Sequence, residues 1–288
     1  MADQLGLFNA PSTILRASPP SVRPNPKLGP LTDLPGTWVG SGFTVIWLPV
    51  FGEHPGFRLK LNATSETLTI TKIGGDIPNR GSVQPDLNFL GLHYLQLVSD
   101  ALTHGQLHIE PGLWLNLPLT PPDPNPNVSF VARLASIPHG SALLAQGTTY
   151  QIVKPGFPVA NTLPGPPVPP QAPGMLDNAV LPPGIPSGSA RNPNRVLWAA
   201  SSKQIITRTV VLQIATDFAT NPPSGGINNI AFVESNANAT QMSATFWIEA
   251  LKQRDGSLTL QLQYSQRVIL NFGGIDWPHV SVATLVQQ

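Results

Sequence analysis

Hydrophobic and polar residues alternate along 258–272, LTLQLQYSQRVILNF, so that one face is almost entirely apolar and the other carries mostly polar side chains. A period of two residues predicts a β-strand and argues against a helix. The stretch is well beyond the usual strand length of about 5–6 residues. Long alternating strands are typical of barrels, because a tilted strand must cross the whole wall. The dipeptide Asp255-Gly256 predicts a hairpin turn to the preceding strand.

The same pattern predicts strands along most of the chain. The other candidates are 37–50, 57–63, 66–73, 88–98, 106–117, 128–136, 142–153, 205–217, 228–234 and 279–286, together with the first strand of the hairpin that begins at Thr240 and turns at Asp255-Gly256. The stretch 91–100, GLHYLQLVSD, is ambiguous and also fits a helical turn. We therefore predict an all-β protein, built as a single antiparallel β-barrel of about ten to twelve strands.

Proline interrupts this pattern in two places. Residues 1–35 are rich in proline and have no periodic run, which predicts an irregular N-terminal arm on the surface. The segment 154–195 is also proline-rich and cannot form a helix or a paired strand, because proline lacks the backbone N–H group. It is either an interdomain linker or an insertion. Too few strands lie on either side to close two barrels, so we predict one barrel domain, 36–288, interrupted by a surface insertion without regular structure.

Composition excludes several classes of function. The net charge is +1 and the 16 Lys and Arg residues are scattered, which argues against a nucleic-acid surface. The absence of cysteine excludes disulfides and thiolate metal sites. No apolar run is long enough for a membrane-spanning helix, and the first residues lack the pattern of a secretory signal, so we expect a cytoplasmic protein. The oligomeric state, including a homodimer, stays open.

Three glycines surround Trp38 in the stretch GTWVGSG, residues 36–42. Glycine within a strand marks a bulge or a close approach of another backbone. No helix follows and no Lys-Ser/Thr pair is present, which excludes a phosphate-binding loop. We expect Trp38 to close the floor of the barrel.

A second candidate is the pair formed by His108 and Glu110 in LHIEPGLWL, residues 107–115. On a strand the two side chains share a face and lie about 7 Å apart. The pair could be exposed to solvent, or it could belong to an interior network that binds a ligand or fixes a histidine tautomer. A further alternative is an acid–base pair of a cofactor-free enzyme.

The last predicted strand opens with a histidine. Its alternation places His279, Ser281 and Ala283 on one face together with Leu285. The small residues leave open space beside the imidazole, which favours a neutral histidine that faces a bulky flat ligand inside the barrel. The alternative is an ordinary residue at the strand entry after Pro278.

These three stretches, in this order, resemble nitrobindin, a haem-binding β-barrel family related in shape to lipocalins and fatty-acid-binding proteins. The family opens with G-T-W-x-G-x-G, which residues 36–42 reproduce. Its middle motif, H-x-E-x-G followed by an aromatic residue, is similar to HIEPGLW at 108–114. Its closing strand carries an H-L-x-A-x-L-like pattern, and HVSVATL at 279–285 is similar to it.

The resemblance implies that haem b binds in the barrel with His279 as the axial iron ligand. The other cofactor-binding residues would be Ser281, Ala283, Trp38, His108 and Glu110. The implied chemistry is binding of nitric oxide, or conversion of peroxide or peroxynitrite. The alternative is a metal-free, lipocalin-like carrier of an apolar small molecule. If His279 is not the ligand, His93 and His108 are the next candidates.

Overall fold

The structure, a computed structural model, describes residues 26–53, 56–117, 129–152, 174–217 and 225–288. The strands of these parts of the chain are β1 (Gly36–Pro49), β2 (Phe57–Lys72), β3 (Ile77–Asn79), β4 (Leu87–Asp100), β5 (Gln106–Leu117), β6 (Ser129–Ile137), β7 (Ser141–Ile152), β8 (Ile205–Ala215), β9 (Gly226–Asn229), β10 (Asn238–Lys252), β11 (Leu258–Phe272) and β12 (Ile275–Gln287). A 3-10 segment, Pro26–Leu31, precedes them, and two short helices, α1 (Asn194–Ser201) and α2 (Ala231–Asn236), lie between strands.

Ten of the strands form a closed antiparallel barrel. Each strand of the ring pairs with the ring strands before and after it in the chain, in the order β1, β2, β4, β5, β6, β7, β8, β10, β11 and β12. The pairing of β12 with β1 closes the ring. Strand β3 pairs only with β4, and β9 pairs with β7 off the ring. The prediction of an all-β single barrel is confirmed, and this meander is the architecture of up-and-down barrels such as lipocalins.

The ring uses strands from both sides of the proline-rich segment. Strand β7 lies before 154–195 and β8 after it, and the two pair antiparallel. Of this segment, 154–173 lies outside the described residues. Residues 174–193 contain turns but no helix or strand, and α1 begins at Asn194, one residue before the predicted end of the insertion.

Some element predictions were wrong in detail. The two predicted strands 57–63 and 66–73 are one continuous strand, β2, and the ambiguous stretch 91–100 belongs to β4. The predicted strand 228–234 is instead the short β9 followed by helix α2. This stretch has too few apolar residues to distinguish the two-residue period of a strand from the 3.6-residue period of a helix. In the structure, the helical turn brings Phe232 and Val233 to the barrel cavity described below.

The arm 1–35 is not a surface arm throughout. Its first 25 residues lie outside the described part of the chain, but Leu28, Leu31 and Leu34 are buried in the same core as Trp38. The indole Nε1 of Trp38 donates a hydrogen bond to the carbonyl oxygen of Leu34, at 2.7 Å. The prediction of a surface position fails here because these three leucines and Trp38 together fill one end of the barrel.

The glycines of β1 allow β12 to approach closely. A Cβ atom added to Gly40 would lie 2.1 Å from the carbonyl oxygen of Thr284, and one added to Gly42 would lie 2.3 Å from that of Val282. A side chain at Gly42 would also meet the Glu66 carboxylate, at 2.8 Å. The close approach predicted from the sequence is therefore present, and it makes room for a buried acid.

Two separate hydrophobic clusters lie on the two faces of the barrel wall. The inner cluster fills the floor and includes Trp38, Ala283 and Leu285. The outer cluster lies between the outer wall and residues 174–201. Its members include Val280 and Val282 of β12, Val45 and Trp47 of β1, and Leu176, Ala190 and Leu197 of the covering segment. Alternate residues of β12 thus face the interior and the covering segment, as the sequence pattern predicted.

No helix in the described ranges is long and apolar enough to cross a membrane.

Candidate functional site

A cavity of about 380 Å³ lies at the end of the barrel opposite Trp38. Small-molecule sites typically occupy about 300–1,000 Å³. Most of its lining is apolar and comes from the ends of several strands and from α2; the apolar members include Ile46, Leu48, Val98, Leu107, Ile137, Leu143, Ile227, Val233, Met242, Val268 and Leu270. The cavity is therefore suited to an apolar ligand, and its few polar groups determine what else that ligand must carry.

His279 lines this cavity from β12, and Ser281 lines it on the same face. The strand register pairs His279 with Val268 of β11. Burial, together with the smaller effects of the nearby His108 and His139, lowers the pKa of His279 to about 4. The imidazole is therefore neutral near pH 7, and a nitrogen lone pair is available to a ligand or a metal.

Two more histidines line the cavity from the other side of the ring. His108 lies on β5 and His139 in the turn between β6 and β7, with their ring centroids 5.5 Å apart. Around the ring, β12 is separated from β6 by four strands in each direction. These are β11, β10, β8 and β7 in one direction, and β1, β2, β4 and β5 in the other. His279 and His139 therefore belong to opposite walls of the cavity.

Glu110 is the centre of a buried charged network. Its carboxylate is 1% exposed and accepts hydrogen bonds from the Tyr94 hydroxyl and from the Arg133 guanidinium. His108 Nε2 lies 3.2 Å from Glu110 Oε2. Arg133 also donates to the Tyr94 hydroxyl, at 2.9 Å, and to Gln266 Oε1, at 2.7 Å. Of the alternatives for His108 and Glu110, the structure therefore has the interior network.

The network keeps Glu110 ionised. Burial would raise the pKa of this carboxyl, but the charge of Arg133 and the hydrogen bonds from His108 and Tyr94 outweigh burial and hold the pKa at about 2. A carboxylate that stays ionised at neutral pH and is paired with Arg133 is a poor general acid. Its geometry instead suits a structural anion that fixes the orientation of His108.

A second buried carboxyl, Glu66, also lines the cavity. It accepts hydrogen bonds from the hydroxyls of Thr64, at 2.8 Å, and Tyr264, at 2.7 Å, and from Gln96 Nε2, at 3.2 Å. No Lys or Arg of the described chain forms an ion pair with it. Burial raises the pKa of Glu66, and the three hydrogen bonds only partly oppose that rise.

Thr44 contributes a polar atom without a partner. Its hydroxyl is buried and has no hydrogen-bond partner in the structure, although the residue lines the cavity. Thr44 lies between Ser281 of β12 and Asn62 of β2 on the neighbouring strands. Buried hydroxyls are nearly always paired, so this unpaired hydroxyl is an exception that costs free energy.

The predicted site residues divide into two groups. His279, Ser281, His108 and Glu110 line the cavity. Trp38 and Ala283 lie in the packed floor and do not line it.

The alternative ligand His93 lies outside the cavity. Its Nε2 contacts the hydroxyl of Thr71 on β2, and its neighbours Leu92 and Tyr94, not His93 itself, belong to the inner core.

Arg133, Glu66 and Thr44 were not predicted from the sequence as site residues. A signal for two of them was present, because Arg133 alternates with Val131 and Ala135, and Glu66 alternates with Leu68 and Ile70. A charged residue at a core position of an alternating strand predicts a buried polar network.

Within the described ranges, no group of three or more His, Cys, Asp or Glu residues is arranged to hold a metal ion.

None of the protein-family models compared with the chain matches it. No curated protein matches it either. Among solved structures, the chain is similar to the crystal structure of Rv2717c from M. tuberculosis, with 15% sequence identity and a TM-score of 0.43, over 92% of this chain and 99% of that one. A likeness at this level supports no inference about ligand or activity.

Proposed function

We propose that this protein binds a flat, largely apolar ligand in the barrel cavity, and that the ligand is haem b, held through His279. The observation that carries the proposal is the neutral imidazole of His279 on the wall of an apolar cavity, with a pKa of about 4. A neutral imidazole is the form of histidine that ligates haem iron. The small side chain of Ser281 beside it leaves space for a bulky group.

The donor set of the cavity fits this group. Haem needs one axial histidine and an apolar surround, and it does not need the cluster of ligands that a bare metal ion requires. His108 and His139 would present polar ring edges on the wall away from His279. Glu110 would hold His108 in one orientation through the contact between Nε2 and Oε2.

When bound, haem would supply an iron that binds nitric oxide or converts peroxide or peroxynitrite. The protein's own contribution would be the axial imidazole, the exclusion of bulk water by the aliphatic lining, and the polar groups of the opposite wall. Helix α2 forms part of the cavity wall through Phe232, Val233 and Asn236.

A metal-free carrier of an apolar molecule is the second candidate. It is supported by the predominance of aliphatic side chains among the lining residues, which would bind many apolar ligands without a metal.

An absorption titration separates the two functions. Haem is added to the purified protein, and the Soret band of bound haem is followed to saturation. We expect a shifted Soret band that saturates at one haem per chain. A carrier without haem would give no such band and would instead bind a neutral apolar fluorescent probe. A protein that binds neither haem nor the probe would contradict both functions.

A further inference from the structure

The first part of β2 has a strand partner on one side only, next to the cavity-lining strand β1. The pairing of β2 with β4 covers Thr64–Lys72, so the residues of β2 before Thr64 pair only with β1 among the described strands. The inner-face residues of β2 are buried from Asn62 onwards, whereas Lys60 and Arg58, at the preceding alternate positions, are exposed. The inner face of β2 thus leaves the barrel interior at Lys60.

This edge is adjacent to the proposed ligand site. Lys60 is directly opposite Ile46 on β1, and Arg58 is opposite Leu48; both partners line the cavity. The β1–β12 register, in which Val45 faces Val280, places Ile46 beside His279. Lys60 and His279 are therefore two strand spacings apart, a backbone separation of about 10 Å.

The positive charges of this edge are unpaired. Neither Arg58 nor Lys60 has an ion-pair partner among the described residues. Inside the barrel, by contrast, the Arg133 guanidinium is already paired with Glu110, and the Glu66 carboxyl has no cation beside it among the described residues. An acidic group on a ligand would therefore be unfavourable deep in the cavity and favourable at the β2 edge.

We propose that the ligand of this cavity is an amphipathic acid. Its apolar body lies beside His279, and its acidic group lies at the β2 edge, where Lys60 and Arg58 bind it. The inference rests on the proposed binding function and specifies the chemical class of the ligand. Haem propionates and the carboxylate of a fatty acid share this chemistry.

Two fluorescent probes with the same aromatic body test the proposal without haem. Anilinonaphthalene sulfonate carries an anionic group, and N-phenylnaphthylamine is its neutral counterpart. We expect the double variant Arg58→Gln/Lys60→Gln to bind the anionic probe about fivefold to tenfold more weakly, as two exposed charge pairs would give, and to bind the neutral probe as the wild type does. Affinity for the anionic probe should also fall with added salt.

The matched control is Lys252→Gln/Arg254→Gln, which removes the same charge from the opposite end of the barrel, where β10 ends. It should change neither affinity. Equal weakening of both probes by the Arg58/Lys60 variant, or no weakening of either, would overturn the acid-binding edge while leaving the binding function intact. If the wild-type protein binds neither probe nor haem, the binding function fails, and the edge fails with it.

A second arm identifies the source of the acid. Haem and haem dimethyl ester differ only in whether the propionates are free. If the acid is a propionate, Arg58→Gln/Lys60→Gln weakens binding of haem and leaves binding of the ester unchanged. If oleate and not haem responds to the double variant, the acid is a fatty-acid carboxylate. If neither responds, the proposal is wrong.

Discussion

His279 and Val280 are consecutive residues of β12 that belong to opposite sides of the barrel wall. His279 lines the cavity, whereas Val280 is buried in the outer cluster together with Leu197 of α1. The segment that covers the barrel therefore packs directly behind the strand that carries the candidate ligand. Its packing is expected to hold His279 in position.

Leu197→Ala tests this relationship. Leu197 is fully buried, and removing a buried leucine side chain costs about 2–5 kcal/mol of unfolding free energy. We expect urea unfolding to show that loss, and a haem titration to show weaker binding because β12 loses support. The control is Trp198→Ala, on the exposed side of the same helix. A loss of stability at Leu197 with unchanged haem affinity would show that the covering segment does not position His279.

The strands could be predicted from the sequence because alternation is a local property of the wall. Strand β11 and the inner face of β12 occur where the pattern of 258–272 and 279–285 places them. The two ends of the barrel could not be predicted in the same way. Helix α2 beside the cavity and the burial of Leu31 in the floor depend on contacts between distant segments, and no local period encodes them.

The partners of the polar cavity residues could not be predicted from the sequence either. His108 and Glu110 could be placed on one face from their spacing, but their environment depends on Arg133 and Tyr94, which come from two other strands. Spacing within one strand cannot reveal a partner whose position is fixed by register between strands.

Arg133→Gln should be strongly destabilising at neutral pH. It leaves the Glu110 carboxylate buried without its cation, and breaking a buried ion pair costs about 3–5 kcal/mol. The folded pKa of Glu110, about 2, lies below its ordinary value of 4.5, so its stabilising contribution in the wild type is present above about pH 4.5 and is lost as the pH falls towards 2. The deficit of the variant should therefore shrink in acid, as denaturant unfolding at pH 7 and pH 4 would show.

The control for this prediction is Arg267→Gln, which removes an exposed arginine from β11. It should change the unfolding free energy by less than about 0.5 kcal/mol. Equal effects of the two substitutions at pH 7 would contradict the assignment of Glu110 as a buried anion that depends on Arg133.

Thr44→Val should stabilise the ligand-free protein. The substitution removes a buried hydroxyl that has no partner, and we expect the unfolding free energy to rise by about 1 kcal/mol. Thr64→Val is the matched comparison, because the Thr64 hydroxyl donates to Glu66 and its removal should destabilise. If both substitutions destabilise the protein equally in thermal unfolding, the Thr44 hydroxyl has a partner in the ligand-free protein.

Glu249 should make stability depend on pH near neutrality. Burial raises its pKa to about 7, and the hydrogen bond from Gln261 opposes that rise only in part. Because the folded pKa lies above the ordinary value of 4.5, the contribution of this group is fully present below pH 4.5 and is lost as the pH rises towards 7. Glu249→Gln should therefore melt above the wild type at pH 8 and match it at pH 4.

The exposed Glu234 of α2 provides the control for Glu249. Glu234→Gln should leave the pH dependence of the melting temperature as it is in the wild type. If the melting temperature of the wild type falls no more between pH 4.5 and pH 7 than that of Glu249→Gln, Glu249 does not titrate in this range.

The affinity of His279→Ala for haem decides whether His279 holds the cofactor, with His93→Ala, on a histidine outside the cavity, as the control. In parallel absorption titrations, we expect the wild type and His93→Ala to give the same Soret band and affinity. His279→Ala should bind haem more weakly and lose the spectrum of histidine ligation, and added imidazole should restore that spectrum by entering the space left in the cavity. A His279→Ala protein that keeps both the wild-type affinity and the wild-type spectrum would show that His279 does not ligate haem.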